Sequence, residues 1–342
     1  MKKQFFIIGI GLLALAFSAK VNAQHTDTLT VQRLSKVENL LSKLPKISGL
    51  VNFRYRYDDD RSTFDIRRAR LDVKGDVGKM FDYRIQADFA AAPRLLDAQI
   101  RFKIKPYFNI QLGQFKVPFS LENPYSPTGL ECIDNAMVIS RLVGYADVAG
   151  INANGRDVGV MFYGGFLRKR GYSIIEYNIG VFNGSGINTN DNNKSKDVIA
   201  RIFVNPIKPI SISLSGYVGE AYLNDSMRHE TRDRYGVGVR YDDKKWLFRT
   251  EYIYGKTADM ESSGAYAVLA YTFFGKLQPV LRMDYFQQDM SSNATAEIDY
   301  MAGVNYWFIP QKIGLQLNLT HRTFQSNRAG ITGVCLMGTA AF

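Results

Sequence analysis

From Ile47 to the end of the chain, polar and apolar residues alternate with a period of two for most of the length. This is the pattern of strands with one apolar and one wet face. In the first stretch Ile47, Gly49, Val51, Phe53, Tyr55 and Tyr57 oppose Ser48, Asn52, Arg54 and Arg56. Next, Ala69, Leu71 and Val73 oppose Arg68, Arg70, Asp72 and Lys74. Phe81, Tyr83, Ile85, Ala87 and Phe89 then oppose Asp82, Arg84, Gln86 and Asp88. Leu96, Ala98, Ile100, Phe102 and Ile104 oppose Asp97, Gln99, Arg101 and Lys103, and the alternation returns over 298–308 and 313–322. The apolar face carries bulky aromatics at strand ends, among them Tyr252, Tyr254, Tyr306 and Phe308, where girdles sit on a lipid-facing sheet. The other face repeats arginines as a water-filled lumen would. A soluble sandwich is the competing reading; it would bury the apolar face and need no detergent.

Two early segments break this period. Leu34, Val37, Leu41 and Leu44 share one helical seam, predicting a helix over 30–44 that Pro45 stops. It reads equally as a lone amphipathic helix or as a trimerising one. Before it, Lys2 and Lys3 precede an apolar run from Phe5 to Phe17, and Val21-Asn22-Ala23 offers small residues for cleavage. The run is too short to span a bilayer comfortably, so residues 1–23 read as a signal peptide, with an anchor helix as the alternative.

The connections alternate between tight and long. Gly78-Lys79, Lys105-Pro106, 168–171, 205–209, 242–245, 274–279 and 309–312 are tight; 183–197, 219–233, 287–296 and 323–330 are longer and polar. Outer-membrane barrels have short periplasmic turns and longer outer loops. The expectation is an all-β fold, a transmembrane antiparallel β-barrel of about 16 strands with a short periplasmic helix at 24–46. Such a barrel leaves an aqueous channel. Residues 119–156, with Pro124, Pro127 and Gly129, lack strand alternation yet hold the apolar cluster Met137, Val138, Ile139, Leu142 and Val143. This third outer connection is expected to fold inward as a constriction, with an ordinary surface loop as the alternative. The last segment, 334–342, alternates and ends on Phe342, the kind of terminal strand that barrel-assembly machinery reads.

Composition sharpens this picture. A net charge of +11, 13% aromatics and 46% hydrophobic residues suit a sheet that is apolar outside and basic inside. Export makes nucleic acid an unlikely partner and leaves anionic solutes and outer-membrane lipid. The two cysteines, Cys132 and Cys335, permit one bridge at most. No metal spacing, phosphate-cradling glycine loop or haem motif is present, and three histidines give no legible catalytic arrangement, so no cofactor and no enzyme activity are expected.

Several segments carry a family resemblance: FDIRRARLDVKG at 64–75, GQFKVPFSLE at 113–122, GRDVGV at 155–160, YNIGVFNGSG at 177–186, EYIYG at 251–255 and GVNYW at 303–307. Together these resemble the phosphate-selective porin O and P family, over nearly the whole barrel. The resemblance implies a trimeric sixteen-stranded outer-membrane porin of a Gram-negative, Bacteroidetes-like source, with an inward third loop and an arginine ladder passing anions. The namesake members are longer, and acids are mixed among the lumen arginines here, so family membership reads more securely than phosphate selectivity.

The expected function is passive diffusion of small hydrophilic solutes with a preference for anions. The candidate lumen cations are Arg54, Arg56, Arg68, Arg70, Arg84, Arg101, Lys103, Lys116, Arg141, Arg201, Arg240, Arg249 and Arg282. Guanidinium forks bind oxyanions with two N–H groups at once, and several weak sites in series favour conduction. Each of these cations could equally brace the wall against a neighbouring acid; Arg249 with Glu251 and Arg282 with Asp284 are so placed. A plugged structural or adhesin barrel is the alternative class, and an outer-membrane hydrolase a weaker one.

Overall fold

The computed structural model describes residue 36 and residues 44–342, apart from 170 and 225. The expected signal peptide lies outside the described residues, as does the 30–44 helix except for Lys36 and Leu44. No helix among the described residues is long and apolar enough to cross a membrane.

The chain from residue 45 onward forms one antiparallel sheet closed on itself. Its strands are β1 (Lys46–Asp58), β2 (Arg61–Val77), β3 (Phe81–Asp88), β4 (Arg94–Lys105), β5 (Phe108–Lys116), β6 (Arg156–Lys169), β7 (Tyr172–Phe182) and β8 (Asp197–Val204). There follow β9 (Ile210–Val218, resumed as Glu220–Leu223), β10 (Arg228–Asp242), β11 (Trp246–Thr257), β12 (Met260–Tyr271), β13 (Leu277–Gln287), β14 (Ala296–Ile309), β15 (Ile313–Phe324) and β16 (Ile331–Ala341). Both parts of β9 pair with β10, so the barrel has the expected sixteen strands. Every strand pairs with its sequence neighbours, and β1 closes on β16 from Leu50↔Ala341 to Asp58↔Gly333. Closure leaves no open edge, as a lipid-facing sheet requires. At the seam Gly49 and Phe342 exchange backbone hydrogen bonds of 3.1 Å in each direction.

The alternation read from the sequence sorts the faces. Val51, Phe53, Ile85, Ile100, Phe162, Ile179, Leu214, Leu281, Leu315 and Leu336 are exposed on the outer face. Asn52, Arg54, Asp72, Asp97, Arg249, Glu251, Arg282, Asp284 and Asn305 are buried inside. Aromatic ladders gather near the short turns: Tyr107, Phe166 and Tyr177 stack at 6.3 and 5.6 Å, and Trp246, Tyr271 and Phe273 meet edge-on at 4.6 Å each.

Three connection boundaries differ from expectation. Pro279, expected in a turn, lies inside β13; it sits near the strand's start, where a missing N–H is tolerated. The 219–233 segment is mostly hairpin, because Glu220–Leu223 pairs with Arg228–Thr231 and leaves only four residues between them. The long-loop end is not uniformly long: Asp59-Asp60 joins β1 to β2, and Ala258-Asp259 joins β11 to β12. In the first of these turns Asp58 accepts from the backbone N–H groups of Asp60 and Arg61.

Gly113 opens the GQFKVPF stretch at a backbone φ of +113°, and an added Cβ would lie 2.1 Å from the Ala98 carbonyl oxygen on β4. Only glycine fits there without moving the partner strand. Gly113→Ala is expected to cost about 1–3 kcal/mol. The check is the temperature at which the compact, heat-modifiable form disappears on an unheated gel; an unchanged temperature would refute the strain.

Candidate functional site: the lumen and its inward loop

The third connection at the long-loop end, residues 117–155, runs inside the barrel. Val117, Phe119 and Leu121 are buried, and Pro127–Gly129 makes a single 3₁₀ turn. The helix α1 (Met137–Leu142) follows. Its Met137, Val138, Ile139 and Leu142 join one cluster with Ile253, Tyr266, Val268, Val280 and Phe286 from β11–β13. Those wall residues point inward yet are apolar, so this side of the lumen offers a dry dock for an apolar segment. The loop therefore leans against β11–β14 and leaves the opposite wall open.

Polar contacts fix the loop to the same side. Ser120 adopts a φ of +73°, unusual for a residue with a side chain. Glu251 holds it there by accepting from Ser120 Oγ (3.0 Å) and Leu121 N–H (2.7 Å), while Arg201 donates to the Ser120 carbonyl (2.8 Å). The bracing pair Arg249–Glu251 expected from sequence does not form. Glu251 is taken up by the loop backbone, and Arg249 instead meets Glu122 (3.1 Å) and Glu131 (2.9 Å) from the loop. Arg282 does pair with Asp284 (2.8 Å), and it also donates to the Asp134 carbonyl (2.6 Å).

Farther along the loop, Asp147 is fully buried and accepts from Arg232 (2.9 Å), Arg234 (3.3 Å), Gly144 N–H (3.1 Å) and Ala149 N–H (2.9 Å). Burial alone would raise this carboxyl, but the two guanidiniums hold it below the ordinary carboxylate value. Its anchoring is therefore complete above the ordinary carboxylate range and is lost only on strong acidification. Burial pushes the Cys132 thiol up to about 12, and both Cys132 and Cys335 are free thiols.

The open wall belongs to β1–β4. A cavity of about 400 Å³ runs along it, and one of about 700 Å³ adjoins it against β1, the start of β2 and β13–β16. They share Arg54, Arg67, Asn135, Tyr145 and Asn154, which mark a neck between wall and loop. The smaller cavity is lined by Arg54, Arg67, Arg68, Arg70, Arg94, Lys116 and Arg156 against only Asp88 and Glu122. Arg67 reaches the lumen through a β-bulge: Asn52 pairs with Arg68 and Phe53 with Ile66, leaving Arg67 as an extra residue on β2. Two successive arginines thus point inward, which a regular strand forbids.

The candidate cations fall into three groups. Arg54, Arg56, Arg68, Arg70, Lys116, Arg141 and Arg282 line one or both cavities. Of these, Arg54 and Arg56 share Asp65 (2.6 and 3.1 Å), Arg70 holds Asp88 (2.8 Å) and Arg141 faces Glu297 (3.7 Å). Arg68 bonds Asn52 (3.3 Å), and Lys116 donates to the carbonyls of Asn123 (2.6 Å) and Tyr125 (2.7 Å); among the described residues neither meets a carboxylate. A second group, Arg84, Arg101 and Lys103, sits nearer the short turns, paired with Asp72 and Asp97, Asp82, and Asp76 and Asp82 respectively. The third group, Arg201, Arg240 and Arg249, borders neither cavity; Arg240 pairs with Asp242 and lies 5.5 Å from the Tyr125 ring. Arg156, expected at the end of the loop, instead begins β6, where it pairs with Lys116 at the end of β5 and continues the ladder to the loop's root. Arg67 and Arg94 were missed; the broken alternation of Arg67-Arg68 is the signal that could have found the first. Among the described residues no group of three His, Cys, Asp or Glu is placed to hold a metal.

A closed sixteen-stranded barrel with a charged lumen and its third connection folded inside defines the porin class of barrel. Residues 49–209 match the family model described as phosphate-selective porin O and P, which bears out over that stretch the resemblance read from sequence. No curated protein sequence matches the chain. Among solved structures, the anion-selective porin from Comamonas acidovorans is similar at 14% identity and TM-score 0.70, covering 87% of this chain and 99% of its own. The outer membrane channel DcaP of Acinetobacter baumannii is similar at 15% identity and TM-score 0.63, covering 87% and 97%. OmpT of Vibrio cholerae in its trimer form is similar at 10% identity and TM-score 0.63, covering 87% and 99%. At these identities the likeness is one of fold.

Asp147→Asn would leave Arg232 and Arg234 buried without a carboxylate, at a cost of about 3–5 kcal/mol to the loop's docked state. The expected outcome is a folded barrel whose single-channel current is noisier and larger than that of the unsubstituted protein. A steady, unchanged current would show that Asp147 does not hold the loop.

Proposed function

We propose that this chain is an outer-membrane porin that passes small hydrophilic solutes by passive diffusion and prefers anions. One observation carries the reading: where the larger cavity meets the smaller, Arg54 and Arg67 face Asp134 of the loop, and Arg68, Arg70 and Lys116 continue the basic lining beyond them. An anion moving along this wall exchanges one guanidinium for the next, so no single site need trap it. The matched family and the anion-selective neighbour support the same direction. The acids paired with Arg54, Arg70 and Arg84 temper the field, which favours a preference among solutes over exclusive passage of phosphate.

Three further parts of the reading follow. Residues 1–23 serve as the export signal, and the short-turn end faces the periplasm. The exposed apolar outer face meets lipid, and three copies assemble as in the trimeric neighbour. Phe342, exposed at the closing seam, is presented to the barrel-assembly machinery. The chain is read as a conduit and not an enzyme, since its lumen charges lie along a path instead of converging on one reacting atom.

Planar-bilayer recording tests the proposal. Stepwise channels with a reversal potential favouring chloride over potassium are expected. Arg67→Gln with Arg68→Gln should lower that permeability ratio about threefold, given the modest worth of partly exposed charges. Folded protein without channels would replace the porin with a plugged barrel.

A further inference from the structure

The wall arginines at the neck differ in what balances them. Arg54 has a carboxylate on its own wall, Asp65, held by two hydrogen bonds of 2.9 and 2.6 Å. Arg67 has none there; among the described residues its one carboxylate partner is Asp134, which comes from the inward loop. Asp134 also lies 3.6 Å from Arg54.

The backbone around Asp134 is tied to β13 and β15, on the other side of the β1–β16 seam. Arg282 on β13 donates to the Asp134 carbonyl (2.6 Å), and Ile133 N–H donates to Asn318 on β15 (2.9 Å). Its carboxylate therefore reaches from the β13–β15 side of the seam to Arg54 on β1 and Arg67 on β2. The Asp134 side chain is nonetheless 52% exposed, where Asp147, elsewhere in the same loop, is 0% exposed. The Asp147 pair is a sealed anchor. The Asp134 carboxylate faces the water of the permeation path, where a solute can compete for its partners, while Arg67 and Arg54 stay largely buried behind it.

We infer that Asp134 is the specificity-determining residue of the pore: a tethered carboxylate that occupies the Arg67 and Arg54 site as a permeant anion would, and that solute anions must displace. The inference rests on the porin reading above. A passing carboxylate finds guanidiniums already aligned for a carboxylate, so organic carboxylates are the solute class the neck fits. The tether sets a threshold. Monovalent anions that bind weakly pass by without displacing Asp134, whereas anions with two carboxylates compete for both arginines at once.

The test uses the full-length protein refolded into planar bilayers, with succinate added to block chloride current. Asp134→Asn keeps the side-chain shape and both backbone anchors. It should lower the half-blocking succinate concentration about fivefold and move the reversal potential further toward chloride. Asp60→Asn is the control: it removes an exposed acid that lines the same larger cavity and pairs with no arginine among the described residues. It should change the block by less than half as much. An unchanged block in Asp134→Asn, or an equal change in Asp60→Asn, overturns the inference while the porin reading stands. Heat-modifiable but silent protein in all three forms would sink the porin reading and this inference together.

Discussion

Hydrocarbon offers no hydrogen-bond partners, so every peptide group of a lipid-facing sheet must bond within the sheet. That requirement closes β1 onto β16 and makes side-chain direction strictly binary. Each strand position belongs to lipid or to lumen, and the lumen inherits whatever lipid cannot accept. Charge inside this barrel is thus a consequence of closure, and the pore's chemistry is built from residues that the outer face rejects.

The inward loop depends on a local exception to that rule. Ile253, Val268, Val280 and Phe286 face the lumen although they are apolar, and α1 covers them. Two kinds of force then act in one place. Apolar contact selects the side on which the loop rests, and buried ion pairs such as Asp147 with Arg232 fix its register. Because α1 and the Asp147 pairs lie against β10–β13, the cavities that remain run from β13–β16 across the seam to β4. The seating of the loop on one side is what leaves the arginines of β1 and β2 lining the path.

Much of this was legible in the sequence. Period-two alternation assigned the faces of β1–β3 and most of β4 correctly because lipid and water are the two environments available. Leu96, read as outward, is instead buried against Ala153 and Ile187, because a bulge on β4 turns it inward and leaves Leu95 outside. The apolar cluster at 137–143 marked the loop as ordered for the same reason. Pairing across the lumen was not legible. Arg249 has Glu251 as its same-face neighbour, yet Leu121 and Ser120 claim that carboxylate through a loop 130 residues away in sequence. Strand spacing describes neighbours along a wall and is silent about what arrives from the opposite side. The 219–233 hairpin was missed because a four-residue strand carries too little alternation to count.

The bulge on β2 has an evolutionary corollary. Arg67 is an inserted residue between Ile66, which pairs with Phe53, and Arg68, which pairs with Asn52. Removing it would join those two pairs into a regular ladder without turning a single lipid-facing side chain inward. Adding or losing one codon at this point therefore changes the charge where the loop meets the wall while the surface seen by the bilayer stays the same. Relatives of this chain can diverge in what they admit through a change of length alone, at no cost to the membrane fit on which folding depends.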